Sequence, residues 1–512
     1  MSIVSGKRII SNTIMLYMRM IVTMLIALYT SRVVLNVLGV EDYGLYNIVG
    51  GVVALFSFMN SAMSAATQRF ITYELGRGDS KSINRVFSMS ITSHLIIIAI
   101  FLVLAETIGL WFLNTQVQIP EGKEVTANWI YQFSIIVLCF NIISVPYSAS
   151  IIAYEKMSIY AIISIVDAIL KLVIATVLSS VSGDKLISYA FMLSIESIAV
   201  FLCYLIVSVR SFSVCKYTPV FDKELFKKLF GFSGWSMLGQ MSLVGANQGS
   251  NILINIFYTV TVNATMGIAN QVNVAVNNLV SSFQTAFQPQ ITKSYALGDF
   301  VGLNSLMQKA SKLSFYLLYI VSFPLILNIH EILLLWLGNV PPFCEIFCIL
   351  ILIASMVNAI AGPLWMAIFA TGNIKIYQIV ISIIYLLDIP IVYLLFSIGC
   401  PPAYAIAVKI FLNVIILGVR IIFNARRIPS FSTGLFLRNV LLPIGLVVLI
   451  SVPTMMLLDY LVELSSIWWK LLVIIIEVIF VSGIVYVVGL NCSERQFINN
   501  TIKTIAKRFK HV

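Results

Sequence analysis

Residues 95–104 read Leu-Ile-Ile-Ile-Ala-Ile-Phe-Leu-Val-Leu, and residues 471–480 read Leu-Leu-Val-Ile-Ile-Ile-Glu-Val-Ile-Phe. Neither run alternates apolar with polar residues, as the strands of a membrane β-barrel do. Each run lies within a longer apolar stretch, and a helix needs about 20 mostly apolar residues to cross the hydrocarbon core of a bilayer. The two runs therefore predict membrane-spanning helices and an all-α fold.

Apolar stretches of this length recur along the whole chain. Hydrophobic residues make up 60% of the 512 residues and charged residues only 10%, so little sequence is left for a soluble domain. The pattern predicts a polytopic membrane protein with about 14 transmembrane helices. We place these spans at residues 10–37, 43–66, 86–113, 129–153, 158–181, 186–209, 229–257, 263–287, 313–337, 342–369, 374–397, 402–423, 436–458 and 467–489.

The distribution of lysine and arginine predicts the topology. If the N-terminus is cytoplasmic, alternate connections are rich in basic residues, as cytoplasmic loops are. Most of the 32 basic residues, including Lys227, Lys312 and Arg420, then belong to the cytoplasmic side, whereas the loop around Glu121 on the opposite side is acidic. Both termini are expected in the cytoplasm. The net charge of +11 follows from this topology and from attraction to anionic membrane lipids, so no nucleic-acid partner is expected.

The sequence offers no catalytic or metal-binding set. The three histidines are scattered, and most of the seven cysteines lie within or beside apolar helices, where they act as small hydrophobic residues. There is no glycine-rich phosphate loop and no Ser/His/Asp arrangement. We therefore expect no metal, no cofactor and no enzymatic activity.

An internal repeat at an offset of about 220 residues predicts the domain organisation. Residues 68–79 and residues 289–299 each carry an Ile-Thr pair, a Leu-Gly pair and an aspartate, followed by a basic segment. The repeat predicts two six-helix lobes related by a parallel repeat, plus two C-terminal helices. The expected boundaries are residues 1–210 for the N-terminal lobe, 211–425 for the C-terminal lobe, and 426–512 for the last two spans and a basic cytoplasmic tail.

Amide side chains are concentrated on the seventh and eighth predicted spans. They recur near every seventh residue, which places them on one face of each helix. Such groups either form hydrogen bonds between packed helices or line a water-filled cavity between the lobes. We favour the cavity because so many amides fall on two adjacent spans, and we take as candidate substrate-binding residues Asn247, Gln248, Asn251, Asn270, Gln271 and Asn277.

Charged side chains within the predicted spans are the second group of candidates. Arg19, Arg32 and Arg69 offer forked donors suited to a phosphate group, although Arg32 is also close enough to the end of its span to reach the interface. Asp167 and Lys171 lie four residues apart and either pair with each other or take part in ion or proton coupling. Glu196, Asp388, Lys409 and Glu477 have no partner that the sequence identifies.

Two segments carry a resemblance to a known family. Residues 31–46 read Ser-Arg-Val-Val-Leu-Asn-Val-Leu-Gly-Val-Glu-Asp-Tyr-Gly-Leu-Tyr, and residues 229–235 read Leu-Phe-Gly-Phe-Ser-Gly-Trp. They resemble the first-loop signature and the start of the seventh helix of polysaccharide flippases. These Wzx-type flippases of O-antigen and capsule belong to the multidrug/oligosaccharidyl-lipid/polysaccharide exporter superfamily, to which the lipid II flippase MurJ is related. The resemblance implies alternating access by two lobes in the bacterial cytoplasmic membrane, with a groove for a lipid tail on the last two helices.

The function that this resemblance implies is a flippase for polyprenyl-pyrophosphate-linked oligosaccharide in surface polysaccharide biosynthesis, such as that of lipopolysaccharide. Its partners would be the lipid-linked oligosaccharide, membrane lipids and other polysaccharide-assembly membrane proteins. One alternative is a multidrug or cation exporter of the same superfamily, but spans 1, 2, 7 and 8 lack the carboxylates that a cationic substrate requires. Another is a membrane polysaccharide polymerase or ligase, which usually has a large outer loop.

The predicted topology can be tested by cysteine labelling. In a cysteine-free background, Glu121→Cys should react with a membrane-impermeant thiol reagent in intact cells, and Lys227→Cys should react only after the cells are permeabilised. Labelling of Lys227→Cys in intact cells would overturn the topology, because one miscounted helix inverts every later loop.

Overall fold

The computed structural model describes the helical part of the chain almost continuously. Glu121, on which the prediction for the outer loop rests, and most of the basic tail lie outside the described residues. The described residues are 3–54, 57–116, 119, 122–219, 221–258, 260–461, 467–492, 494–496 and 499.

Throughout these residues the regular structure is helical, as predicted, and it contains no β-strand. In the first part of the chain the helices are α1 Ile3–Ala54, α2 Ser57–Arg77, α3 Ser80–Leu104, α4 Leu110–Gln116, α5 Glu124–Ala153, α6 Met157–Val177, α7 Lys185–Ser211 and α8 Lys223–Phe257. They are followed by α9 Val260–Ala296, α10 Phe300–Leu327, α11 Ile329–Leu337, α12 Cys344–Thr371, α13 Lys375–Leu386, α14 Asp388–Ser397, α15 Tyr404–Arg427, α16 Thr433–Phe436, α17 Leu442–Leu461 and α18 Ile467–Ile484.

Ten helical segments within the described residues are long and apolar enough to cross a membrane, so the chain is a multi-pass membrane protein. The other predicted spans fall on α1 and α2, on α8 and α9, and on the shorter apolar helix Val473–Gly489. Helices α8 and α9 are long enough to cross a membrane but are less apolar, because they carry the amide residues. The ten segments are Asn12–Gly39, Ser80–Thr115, Glu124–Ala153, Met157–Ser180, Lys185–Ser211, Phe300–Leu327, Cys344–Thr371, Lys375–Ser397, Tyr404–Arg427 and Thr433–Met455.

Packing divides the chain into two compact units. The first unit is Ile14–Gln240, and the second is Met241–Val512 together with Met1–Thr13. The division falls inside α8, whereas the sequence placed the boundary at residue 210. The early part of α8 belongs to the first unit because Phe230 and Met237 pack against its hydrophobic core. The described residues of the segment 426–512, which the sequence set apart from the C-terminal lobe, lie in the second unit with α9–α15.

The two units share a packing pattern. In the first unit α5 packs against α2, α3 and α7, and in the second unit α12 packs against α9, α10 and α15. The first residues of α5 and α12, Glu124 and Cys344, are separated by the predicted offset of about 220 residues, and each helix contains a proline, Pro146 or Pro363. The same packing pattern therefore recurs at the offset of the sequence repeat.

The caps of α3 and α10 explain why the loop signals recur. Asp79 caps α3 by accepting a hydrogen bond of 3.0 Å from the Lys81 backbone N–H, and Asp299 caps α10 by accepting one of 2.8 Å from Gly302. The bond from Lys81 and a second one from the Ser82 hydroxyl lower the pKa of Asp79, the hydroxyl contributing most. Each helix start therefore uses an aspartate as its N-cap, and the repeated sequence supplies it.

Gly39 joins two helical segments within α1. Its backbone has φ 82° and ψ 171°, a conformation that is essentially restricted to glycine. A Cβ atom at this position would meet no atom within 4 Å, so only the backbone conformation demands glycine here. This kink separates the predicted first span from the segment that precedes α2.

We expect Gly39→Ala to destabilise the protein by about 1–3 kcal/mol, because alanine must adopt a strained conformation. The matched control is Gly44→Ala, at a helical position that is also free of neighbours within 4 Å. The control should be neutral or slightly stabilising, because alanine favours helix over glycine. Thermal unfolding of both variants in detergent measures the difference, and equal midpoints would refute the role of the kink.

Candidate functional site

A cavity of about 740 Å³ lies within the second unit. Its walls come from α8, α9, α12 and α15, with Tyr385 and Asp388 contributed by α13 and α14. The sequence placed such a cavity between the lobes, but every residue that lines this one belongs to the second unit. Its polar lining consists of Asn247, Gln248, Asn251, Asn270, Asn273, Asn277, Asn278, Ser281, Gln284, Ser355, Asn358, Tyr385, Asp388, Lys409, Asn413 and Arg420, with Trp365 beside them.

Some of the amides hold α9 against α12. The Asn277 side-chain N–H donates to the Ser355 hydroxyl at 3.1 Å and to the Asn273 side-chain carbonyl at 2.5 Å. The Ser355 hydroxyl in turn donates to the Asn273 carbonyl, also at 2.5 Å. These three side chains satisfy one another across the helix contact, which is the packing role that the sequence left open as an alternative.

Gln284 satisfies a backbone carbonyl that proline leaves without its helical partner. Pro363 lacks the N–H that would bond to the carbonyl of Ala359, four residues earlier in α12. The Gln284 side-chain N–H donates to that carbonyl at 3.1 Å and to the Ser314 hydroxyl at the same distance. Gly362 permits this approach, because a Cβ atom there would lie 2.4 Å from the Gln284 amide.

Other amides of the cavity do not connect α9 to α12. The Asn270 side chain forms no hydrogen bond with the rest of the described protein, and the Asn251 side chain makes only a long contact of 3.5 Å to Gln248. Asn247 accepts a hydrogen bond of 3.2 Å from the Lys409 ammonium. These side chains can therefore offer donors and acceptors to a bound molecule.

Charged residues from two helices, α14 and α15, border the same cavity. Asp388 is 2% exposed, and one of its oxygens accepts a hydrogen bond from the Ser250 hydroxyl. Arg420 is 8% exposed, and it donates to the Tyr377 hydroxyl at 3.0 Å and to the Ala361 carbonyl at 3.1 Å. Together with Lys409, the cavity contains two cations and one carboxylate.

The structure brings together only part of the predicted binding set. Asn247, Gln248, Asn251, Asn270 and Asn277 line the cavity. Gln271 does not: it is exposed and absent from the cavity lining, because successive residues on a helix point about 100° apart. The predicted arginines and the Asp167–Lys171 pair belong to the first unit.

The three predicted arginines of the first unit have different surroundings. Arg69 is 9% exposed, and its guanidinium carbon lies 4.6 Å from the Phe70 ring centroid and 4.7 Å from that of Tyr73. Arg19 is half-buried, 4.9 Å from the Tyr160 ring centroid, and its buried Nε forms no hydrogen bond. Arg32 is exposed. Arg19 and Arg69 thus have the aromatic contacts typical of cation–π interactions.

Asp167 and Lys171 form the ion pair that their spacing suggests, with 2.6 Å between the carboxylate oxygen and the ammonium nitrogen. Glu196 on α7 lies 4.0 Å from the same ammonium group and is nearly buried. The Lys171 ammonium group therefore lies within ion-pair distance of two carboxylates inside the first unit. The sequence identified Glu196 as a charge within a span but not its partner, because that partner lies on a different helix.

The sequence also missed Asp388, Lys409 and Arg420 as residues of the site. Asp388 and Lys409 are isolated charges in apolar spans, a signal that marks functional positions in membrane proteins. Arg420 lies seven residues before the end of α15 at Arg427, and the sequence counted it with the basic residues of the cytoplasmic side. The structure buries this side chain in the wall of the cavity, which its place in the sequence did not indicate.

A protein-family model and a bacterial relative match this chain. The family model described as "Polysaccharide biosynthesis protein" matches residues 9–295, more than half of the chain. A relative, the uncharacterized membrane protein EpsK of Bacillus subtilis (strain 168), is 21% identical over 334 residues, which are 64% of this chain. The aligned part also spans 64% of the length of EpsK.

Solved structures share the fold. The crystal structure of a MATE point mutant matches with a TM-score of 0.71 and 14% identity, covering 82% of this chain and 96% of that one. An outward-facing multidrug resistance MATE family transporter of the MOP superfamily matches with a TM-score of 0.70 and 15% identity, covering 84% and 97%. A MOP superfamily transporter from Pyrococcus furiosus, described as having a binding pocket of reverse polarity, gives 0.67 and 14%, covering 82% and 96%. At these identities the likeness concerns the fold alone.

We expect Gln284→Leu to destabilise the protein by about 1–3 kcal/mol, because the buried Ala359 carbonyl then has no donor. Gln271→Leu is the matched control on the same helix, where the side chain is exposed. Thermal unfolding in detergent should show a lower midpoint for the first variant alone. Unchanged midpoints in both would mean that the Gln284 hydrogen bonds contribute nothing to stability.

Proposed function

The chain belongs to the polysaccharide biosynthesis protein family, and from that premise we propose that it is a flippase for polyprenyl-pyrophosphate-linked oligosaccharide. It would carry this substrate across the bacterial cytoplasmic membrane by alternating access, for surface polysaccharide such as O-antigen or lipopolysaccharide. The observation that carries the proposal is the cavity of about 740 Å³, in which unpaired amides lie beside cationic side chains.

The cavity has the chemistry that a sugar chain requires. Sugar hydroxyls both donate and accept hydrogen bonds, and the amides of Asn251 and Asn270 can do the same. These amides have no strong protein partner, so a bound sugar would not have to displace an existing hydrogen bond. The volume of the cavity falls within the range of small-molecule sites, about 300–1,000 Å³, and therefore suits a few sugar rings.

The first unit offers groups for the rest of the substrate and for coupling. The guanidinium of Arg19, with its unpaired Nε, suits one oxygen of a pyrophosphate. Arg32 and Arg69 are further candidates for anionic groups. In this proposal the Asp167–Lys171 pair, extended by Glu196, takes part in ion or proton coupling.

The remaining parts of the proposal concern cellular context. Both termini would be cytoplasmic, the surrounding membrane lipids would contact the apolar helices, and other polysaccharide-assembly membrane proteins would act as partners. Helices α17 and α18 would provide the groove for the polyprenyl tail.

A multidrug or cation exporter is the second candidate, and Asp388 is the observation that favours it. The sequence argument against an exporter was the lack of carboxylates in four spans, but this carboxylate reaches the cavity from α14. Lys409 and Arg420 outnumber it, however, so the cavity as a whole suits a neutral or anionic molecule better than a cation.

A pair of neighbouring substitutions tests the flippase. Asn270→Leu should reduce export of surface polysaccharide by about tenfold or more, because a bound sugar loses a hydrogen bond and faces an apolar group. Gln271→Leu, one residue away but outside the cavity, should export normally. Surface polysaccharide is measured in cells that depend on the variant, at equal membrane expression.

The outer-leaflet fraction of lipid-linked oligosaccharide, measured in proteoliposomes, separates transport from later assembly. Normal transport by Asn270→Leu, or equal loss in both variants, would contradict the assignment of the cavity to the oligosaccharide.

A further inference from the structure

Arg420 is a buried cation without a carboxylate partner. Its two hydrogen bonds run to the Tyr377 hydroxyl and the Ala361 carbonyl, both of which are neutral. Within the described residues no acidic side chain forms an ion pair with it, although it is only 8% exposed. Burying a charge without a counter-charge is costly unless a partner arrives from elsewhere.

The other charges of the cavity do not compensate Arg420. Lys409 lies eleven residues earlier on α15, which is about 16 Å along a helix. Asp388 accepts a hydrogen bond from the Ser250 hydroxyl, and Lys409 donates to Asn247, which lies three residues earlier on the same helix α8. The carboxylate of the cavity is thus assigned to the lysine end, and the arginine end stays positive.

An aromatic surface lies near this positive end. Trp365 follows Ala361, the acceptor of Arg420, by one helical turn on α12, and it lines the same cavity. Its indole is half-buried and is held edge to face by Phe369 at a centroid distance of 5.0 Å. An aromatic face of this kind offers a large apolar surface on which a sugar ring can rest.

We propose that the cavity selects a sugar that carries a carboxylate, with Arg420 binding the carboxylate and Trp365 supporting the ring. The inference rests on the proposed function and adds to it the charge of the oligosaccharide. A guanidinium suits a carboxylate because its planar fork can donate two parallel hydrogen bonds. The pyrophosphate of the lipid carrier is the competing source of negative charge.

Binding to the purified full-length protein in detergent tests this proposal. The probes are glucuronate, glucose and inorganic pyrophosphate at equal ionic strength, and the dissociation constants are measured by calorimetry or microscale thermophoresis. We expect glucuronate to bind the wild-type protein at least about tenfold more tightly than glucose, because the carboxylate makes charge-assisted hydrogen bonds.

Three variants connect the preference with Arg420. Arg420→Gln keeps a donor for the Ala361 carbonyl but loses the charge, and it should bind glucuronate about tenfold to a hundredfold more weakly while its affinity for glucose is unchanged. Arg420→Lys should restore part of the preference. Arg427→Gln is the matched control on the same helix, and it should behave as wild type. This half-buried arginine also donates to a backbone carbonyl, that of Asn373 at 3.4 Å, but it does not line the cavity.

The remaining outcomes decide between the acidic sugar, the lipid carrier and the flippase. Equal affinity of the wild-type protein for glucuronate and glucose does so without any variant, even if Arg420→Gln cannot be purified. Arg420-dependent binding of pyrophosphate instead of glucuronate would assign the site to the lipid carrier. Export lost in Asn270→Leu together with no glucuronate preference would retain the flippase and reject the acidic sugar, whereas the reverse result would retain the sugar site and reject the flippase.

Discussion

The absence of water from the bilayer interior means that every backbone carbonyl released from a helix needs a donor from the protein. The site of this protein is organised around that requirement in α12. Pro363 releases the Ala359 carbonyl, and Gln284 supplies the missing donor. The Arg420 and Asn424 side chains donate to two further carbonyls of α12, those of Ala361 and Leu364. The polar groups that stabilise the helix are thereby brought to the wall of the cavity.

The first unit uses the same packing pattern with different side chains. Helix α5 also contains a proline, but the residue after it, Tyr147, packs edge to face against Phe87 and Phe201 with centroid distances of 5.4 and 6.0 Å. Polar groups of this unit are concentrated in the Asp167–Lys171–Glu196 cluster and in arginines that lie against aromatic rings. A repeated scaffold therefore carries two kinds of chemistry, because fold and function depend on different residues.

Helix α10 holds the C-terminal helices to the second unit by polar contacts at several levels. Lys312 pairs with Glu494 at 2.7 Å, and both side chains are 4% exposed. The Tyr316 hydroxyl donates to the Gly489 carbonyl at 3.2 Å, and Asn328 donates to Glu477 at 2.8 Å. A buried ion pair adds little net stability, but each of its charges strongly disfavours any arrangement that lacks the other. These contacts therefore specify where the helices dock.

Much of the fold could be predicted from the sequence because its signals are local. Apolar length predicted the membrane helices, and the aspartates that cap α3 and α10 revealed the repeat, since both properties depend on residues next to each other in the chain. The pairing of Asp167 with Lys171 was predictable for the same reason, as the two residues lie on one helix. The heptad spacing of the amides likewise identified the helices that build the cavity.

The roles of individual polar residues were decided only by the tertiary structure. Asn270 and Asn277 are indistinguishable by spacing, yet Asn277 bonds to Ser355 on α12, whereas Asn270 stays available to a ligand. The sequence grouped Lys312 and Arg420 with the other basic residues and identified no partner for either. In the structure Lys312 pairs with Glu494, and Arg420 donates to the Ala361 carbonyl and the Tyr377 hydroxyl. Residue type and spacing show which polar side chains share a helix face. Whether such a side chain binds a neighbouring helix or faces a cavity depends on the partner that distant parts of the chain bring within about 3 Å.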